Sequence, residues 1–490
     1  MLFTTIDFII FFVIVLGIVA AVRRRKFQHI FLLAASYFFF YHSSNYLITL
    51  LIVSTILDFY IGKAIWASTS ILKKKILLST SLVGNLGLLG FFKYTDFAIT
   101  QFNMFGQYVN LSSELPLLDL ILPIGISFYT FQTISYTVDI YRGHLTPSKT
   151  LKEFALFVAF FPQLVAGPIV RAKDFLPQLR DKINEFETGI KLRQISINNS
   201  NLKFGITLIT FGFLKKMFFA DNIAPLVNMA FNNPIGLESY TVILATIGFG
   251  IQIYGDFSGY SDIAIGTAII LGFKIPINFN KPYFATSPSN FWRRWHISLS
   301  SWLRDYLYIP LGGNKKSNHW TFFNLFTVMF LGGLWHGASW NFVIWGMLHG
   351  MYLAIHRVIL NKFPNLKTNT FFQSKLGKIL SIIITQYFVF LASIPFRISY
   401  FDSMVYVLSK YIFLDFAISE TIEFISINKF PIFLIFSFII LNYLSYRNGN
   451  LQKKISECRL SYWFLFLVGV FCLIVFFYDG NPDNFIYFQF

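Results

Sequence analysis

Two cysteines, Cys458 and Cys472, are the only thiols in 490 residues. They are too few for a disulfide framework or a thiolate metal site, and they say nothing about compartment. Charge is scarce as well. Asp, Glu, Lys and Arg make up 13% of the chain against 55% hydrophobic residues, too little to give soluble domains a polar surface. Ser/Gly linkers and internal repeats are missing, so residues 1–490 read as one membrane domain.

What fills the chain is apolar sequence, in recurrent stretches long enough to cross a ~30 Å hydrocarbon core. They are continuous rather than alternating, which predicts an all-α polytopic membrane protein and not a barrel. The first, residues 8–22, is followed by Arg23, Arg24, Arg25 and Lys26. A cleavable signal carries its charges ahead of the apolar run, so this stretch reads as a retained span.

The net charge is +17, but its distribution carries more information than its sum. Basic loops at residues 23–26, 73–75, 142–152, 171–203, 281–316, 362–378 and 447–459 alternate with neutral or acidic segments such as 101–119 and 402–423. The positive-inside rule places the basic set in the cytoplasm, so no nucleic-acid partner is implied. Both termini then face outward, after roughly ten to twelve passes, depending on whether 320–359 crosses twice or dips and returns.

Three segments depart from plain spans. Lys215 and Lys216 interrupt the span that starts near Phe204, so that helix is expected to be short, tilted or broken, with the lysines snorkelling or lining a wet cavity. Residues 154–170 end in FPQLVAGPIVR, whose Pro162, Gly167 and Pro168 predict a re-entrant element. Residues 171–203 mix charges with spaced Phe, Leu and Ile, a pattern suited to an amphipathic segment on the cytoplasmic surface.

The chemistry-bearing stretch is 281–350, basic and aromatic in its first half and nearly uncharged in its second. His336 lies in the apolar half between Trp335 and Gly337. An ionisable group at membrane depth is a functional-site hypothesis by default, against the alternative of a histidine hydrogen-bonded between helices. No Cys, Asp or Glu flanks it and no His stands at i+4, so no metal is expected. A lone imidazole with an ordinary pKa of about 6.5 suits general-base work if kept neutral. Gly332, Gly333, Gly337 and Ala338 leave room for other backbone or a narrow channel.

His296, in the run Arg293-Arg294-Trp295-His296, is either a second functional imidazole or part of an interfacial amphipathic helix. Arg293, Arg294 and Arg304 are candidates to hold a phosphate-bearing donor or to contact lipid head groups. Asp256 and Asp262, in IQIYGDFSGYSDIAIG, are six residues apart on different helix faces, so they orient a funnel group or act as polar glue. Residues 123–143 are rich in Ser, Thr and Tyr and include Asp139; a solvated pathway and helix–helix hydrogen bonding fit equally. The aromatic terminus at 484–490 is an interfacial anchor, or it brings Tyr487 into a cavity.

Six motifs in order, SFYTFQTISYTVDIYRG, FPQLVAGPIVR, GDFSGYSDIAIG, FWRRWHISLSSWLRDYLYIPLGGN, GGLWHGASWNFVIWGMLHG and FIYFQF, resemble the membrane-bound O-acyltransferase (MBOAT) family. The closest likeness is to its bacterial branch of alginate and peptidoglycan O-acetyltransferase membrane subunits. The resemblance covers essentially the whole chain. It implies a helical bundle with re-entrant elements around a central funnel, His336 as the catalytic residue and His296 as a second important imidazole on the cytoplasmic approach. It further implies acetyl-coenzyme A as donor, a periplasmic SGNH-type acetyltransferase partner, and a C-terminal motif that passes the acyl group across the bacterial inner membrane.

On this reading Tyr487 is the acyl-carrier candidate, with direct transfer to a partner or sugar hydroxyl as the competitor. Peptidoglycan is the expected polysaccharide, because frequent Phe, Ile, Lys and Asn point to an AT-rich genome; alginate or another exopolysaccharide is the alternative. A transporter or flippase with a proton relay is the different-class alternative. It expects paired carboxylates or repeated halves, and neither is evident in the sequence.

Overall fold

The computed structural model describes residues 1–110, 114–164, 167–180, 192–478 and 485–486. It is 77% helical and contains no strand among the described residues; an isolated bridge joins Arg180 to Leu192. Seven stretches among the described residues are long and apolar enough to cross a membrane, fewer than the ten to twelve passes expected. One of them, Arg25–Ala67, holds two helices, Arg25–Ser44 and Ile48–Ala67, joined by a 3-10 turn. The 16-residue helix Ile6–Ala21 is too short to be counted. The chain is a multi-pass, all-α membrane protein.

The residues divide into two compact units, Met1–Ile206 with Ile263–Pro276, and Thr207–Asp262 with Ile277–Phe490. In the first unit a buried polar seam joins three helices, Ile48–Ala67, Ile71–Tyr108 and Ile126–Tyr141. Asp58 accepts from Ser81 Oγ at 2.6 Å and Asn85 Nδ2 at 2.8 Å, and Ser81 lies 3.0 Å from Thr137 Oγ1. The Ser/Thr content of 123–143 therefore serves helix–helix hydrogen bonding, since unpaired polar groups at that depth are costly.

Residues 154–164 form two short helices, Leu151–Ala159 and Phe161–Leu164, so no continuous span forms there. The described part of 171–203 is a four-residue helix, a 3-10 turn and extended chain leading to the Asn199–Phe213 helix, rather than one amphipathic helix. Its apolar residues point inward: Phe175 is fully buried and stacks on Phe273 at 5.3 Å. Residues 181–191 lie outside the described ones.

The second unit has an aromatic core running from Phe218 to Ile486. The 32-residue helix Ser239–Ile270 begins in this unit, and the N-termini of two helices cap each other. Glu238 accepts from Thr421 N–H at 2.9 Å, while Glu420 accepts from Glu238 N–H at 3.0 Å. Each carboxylate satisfies orphan donors at the start of the other's helix. Residues 318–362 fold as two antiparallel helices, Asn318–His336 and Trp340–Lys362.

Candidate active site

The hairpin positions His336 because its glycines permit contact without side chains. A Cβ on Gly333 would run into the Phe342 carbonyl, and one on Gly337 into the Phe342 ring. These glycines close the hairpin against its own second helix rather than opening a channel. Gly337 is extended, at φ −162° and ψ 154°, and ends the first helix; Ser339 caps the second by accepting from Asn341 N–H. His336 is thus the last helical residue before a three-residue connection. It is 7% exposed, with Trp345 edge-on at 4.9 Å, Trp335 at 5.0 Å and Phe396 at 5.3 Å between ring centroids.

His296 is not on an amphipathic helix face. It stands between the helices Pro288–Trp292 and Ile297–Leu303 with φ 42° and ψ 55°, a left-handed conformation, and it is fully buried. Such backbone costs a non-glycine residue about 1–2 kcal/mol and clusters where geometry matters. Asn278 organises the turn. Its Oδ1 accepts from Ser298 N–H at 3.3 Å and Ser298 Oγ at 2.9 Å, and lies 3.0 Å from His296 Nδ1.

Since a backbone N–H can only donate, this oxygen is the acceptor, so His296 Nδ1 carries the proton and the lone pair of the neutral ring is on Nε2. Burial pushes the imidazole down to about 3, which keeps it neutral. Asn278 also donates to Ser261 Oγ at 3.2 Å. Nothing in the local sequence singled out this asparagine.

Asp256 and Asp262 meet the lysines of the interrupted span. Asn199–Phe213 passes into a π-helical turn, Leu214–Ala220, before Asp221–Phe231. Lys216 Nζ lies 2.8 Å from Asp256 and 2.6 Å from Asp221, and Lys215 Nζ lies 2.6 Å from Asp262. Lys216 therefore does not snorkel, and Lys215, with 18% of its side chain exposed, is paired as well. A Cβ on Gly259 would meet the Gly212 carbonyl at 2.6 Å and Lys216 N at 3.1 Å, so the glycines of GDFSG allow the π turn to press against this helix. Two adjacent lysines in one span and two aspartates in the next were the signal available for this pairing.

Of the C-terminal motif, Phe485 and Ile486 are described and buried, while Tyr487 lies outside the described residues. Ile486 N–H donates to Asp256 Oδ2 at 2.8 Å, and Phe485 stacks on Tyr260 at 4.5 Å. Phe257 touches both Phe485, at 5.8 Å, and His296, at 4.7 Å. The structure therefore gathers His336, His296, Asp256 and the start of the terminal motif in one unit.

The arginines divide differently. Arg294 donates to Asn290 Oδ1 at 3.1 Å and to the Asn280 carbonyl at 3.2 Å, which shapes the His296 turn. Arg304 pairs with Asp305 at 2.7 Å. Arg293 is exposed. Sequence reasoning passed over His349, which is 3% exposed and lines a cavity of about 40 Å³ together with Tyr283, Trp295, Trp345 and Phe396. Trp345 and Phe396 are also walls of the His336 site. Among the described residues no three His, Cys, Asp or Glu side chains are grouped to hold a metal.

Residues 144–400 match the MBOAT, membrane-bound O-acyltransferase family. A peptidoglycan O-acetyltransferase of Helicobacter pylori is 37% identical over 383 residues, 73% of this chain and 69% of that protein. A probable alginate O-acetylase of Pseudomonas aeruginosa is 42% identical over 310 residues, 62% of this chain and 56% of that protein. A teichoic acid D-alanyltransferase of Streptococcus thermophilus is 32% identical over 250 residues, 49% of this chain and 58% of that protein. The family match spans both imidazoles and the helical hairpin that carries His336, and the chain belongs to the membrane-bound O-acyltransferase family.

Proposed function

We propose that this chain takes an acetyl group from a cytoplasmic thioester, acetyl-coenzyme A, and passes it across the bacterial inner membrane for O-acetylation of a cell-surface polysaccharide. Peptidoglycan is the substrate favoured by the relative aligned over the greater length. The observation that carries the reading is the buried aromatic site in which His336 and His296 both pack on Trp335.

In the reaction, neutral His336 removes the proton of an acceptor hydroxyl as that oxygen attacks the thioester carbonyl. The C–O bond forms, the C–S bond breaks, and the departing thiolate takes the proton from the imidazolium. His296 is the second imidazole, with Nε2 as an acceptor on the cytoplasmic approach. Arg293 is the first choice for the donor's phosphates, with Arg294 and Arg304 framing that mouth. The acceptor is the phenol of Tyr487, whose aryl ester retains enough transfer potential to acylate a serine of a periplasmic SGNH-type partner.

The test is release of coenzyme A thiol from acetyl-coenzyme A by the purified protein in detergent. Wild type turns over donor, and His336→Ala falls to background. A wild-type protein that leaves the thioester intact refutes the reading. Tyr487→Phe tests the carrier step: unchanged cell-surface acetylation in that variant rules the tyrosine out.

A further inference from the structure

Asp256 stands in the middle of a membrane-length helix at 1% exposure, and Lys216 at 2%. Charges so deep are expensive and persist where they are paired and hydrogen-bonded. Lys216 binds two carboxylates, those of Asp256 and Asp221. Asp256 Oδ1 faces the lysine, while Oδ2 faces the backbone N–H of Ile486. That N–H adds a charge-assisted hydrogen bond to the Asp256 carboxylate.

Asp256 and Tyr260 are at i and i+4 on one helix face. They hold successive residues of the terminal segment, Ile486 through its N–H and Phe485 through its ring. The π turn that delivers Lys216 is a geometry that recurs at functional sites.

We propose that Asp256, fixed by Lys216, is a positioning residue that docks the C-terminal segment through the Ile486 amide. The dock reads backbone, so it sets the register of the segment to one residue. Phe257, which Phe485 touches, packs in turn on the His296 ring. The proposal rests on the acyl-transfer reading for its purpose, and its test separates the two.

Hydrogen exchange of the C-terminal peptide in the full-length protein in detergent measures docking without reference to activity. The Ile486 amide is expected to exchange slowly in wild type. In Asp256→Ala it exchanges faster by roughly tenfold or more, the scale of one hydrogen bond to a charged group, and Asp256→Asn, which keeps an acceptor oxygen, recovers protection. Ile486→Pro deletes the N–H, along with the Ile486 side chain, and leaves the charged trio whole, so it covers the case in which Asp256→Ala fails to fold.

Ile486→Pro is expected to lose thioester consumption and acetyl delivery to polysaccharide together, by a similar factor, because both run through the docked segment. An unprotected Ile486 amide in wild type, or wild-type delivery by Ile486→Pro, overturns the dock. A protected amide in a protein that consumes no thioester supports the dock and removes the acyl-transfer reading instead.

Discussion

The indole of Trp335 meets the imidazole of His296 edge to face, at 6.1 Å between ring centroids, while contacting its chain neighbour His336 at 5.0 Å. Trp335 thus joins two imidazoles that are forty residues apart in sequence (336 − 296). Trp335→Ala removes both contacts and leaves a hole in a buried aromatic cluster, and should cost about 3–5 kcal/mol. Trp335→Phe keeps a ring and should cost less. Thermal unfolding of the detergent-solubilised variants, run beside donor turnover, checks this order.

Asn278 fixes the tautomer of His296, so Asn278→Ala leaves buried donors on Ser298 and His296 without their acceptor, at about 1–3 kcal/mol each. Asn278→Asp keeps the oxygen but places a carboxylate against Nδ1, which favours the imidazolium and raises the ring pKa from about 3. The sign for stability follows. In wild type the folded state holds His296 below its unfolded value near 6.5, so its contribution is full above that pH and is lost as pH falls from 6.5 toward 3. Asn278→Asp should narrow that window, which unfolding midpoints between pH 7 and pH 4 will show.

The all-α class was legible because long apolar runs exclude other spanning architectures. His336 stood out as a lone ionisable residue in such a run, and its hairpin glycines were visible around it. The left-handed turn at His296 was not legible, because Asn278 reaches it through a contact that no helical or strand period encodes. Lys215 and Lys216 were seen as an irregularity, yet their partners lie on another helix, and charge pairing between helices leaves no mark in either segment alone. Seven stretches among the described residues have the length and apolarity of a span, and Leu151–Ala159 shows that an apolar run also folds as a short buried helix.

Removing one partner of the buried trio should be far worse than removing one of the neighbouring pair. Lys216→Met strands two carboxylates and should destabilise by about 3–5 kcal/mol. Lys215→Met leaves Asp262 with 15% side-chain exposure and a Gln452 amide at 3.3 Å, and should cost less. Detergent-phase melting temperatures of the two variants give the comparison directly.

Glycine substitution tests the hairpin. Gly333→Ala pushes a methyl into the Phe342 carbonyl and should cost about 1–3 kcal/mol through overpacking, with loss of turnover as His336 shifts. Gly469→Ala, in the helix Leu460–Phe477 with open space around it, should be neutral or stabilising by about 0.5–1 kcal/mol. Equal melting temperatures for the two would show that the hairpin tolerates separation.

The central claim is that His336 performs acyl transfer to the cell surface, and base-labile acetate released from purified peptidoglycan reads it most directly. Strains carrying the wild-type gene, His336→Ala or no gene are compared, with protein levels matched by immunoblot. The account predicts that acetate falls equally in the last two. Wild-type acetate in the His336→Ala strain would contradict it.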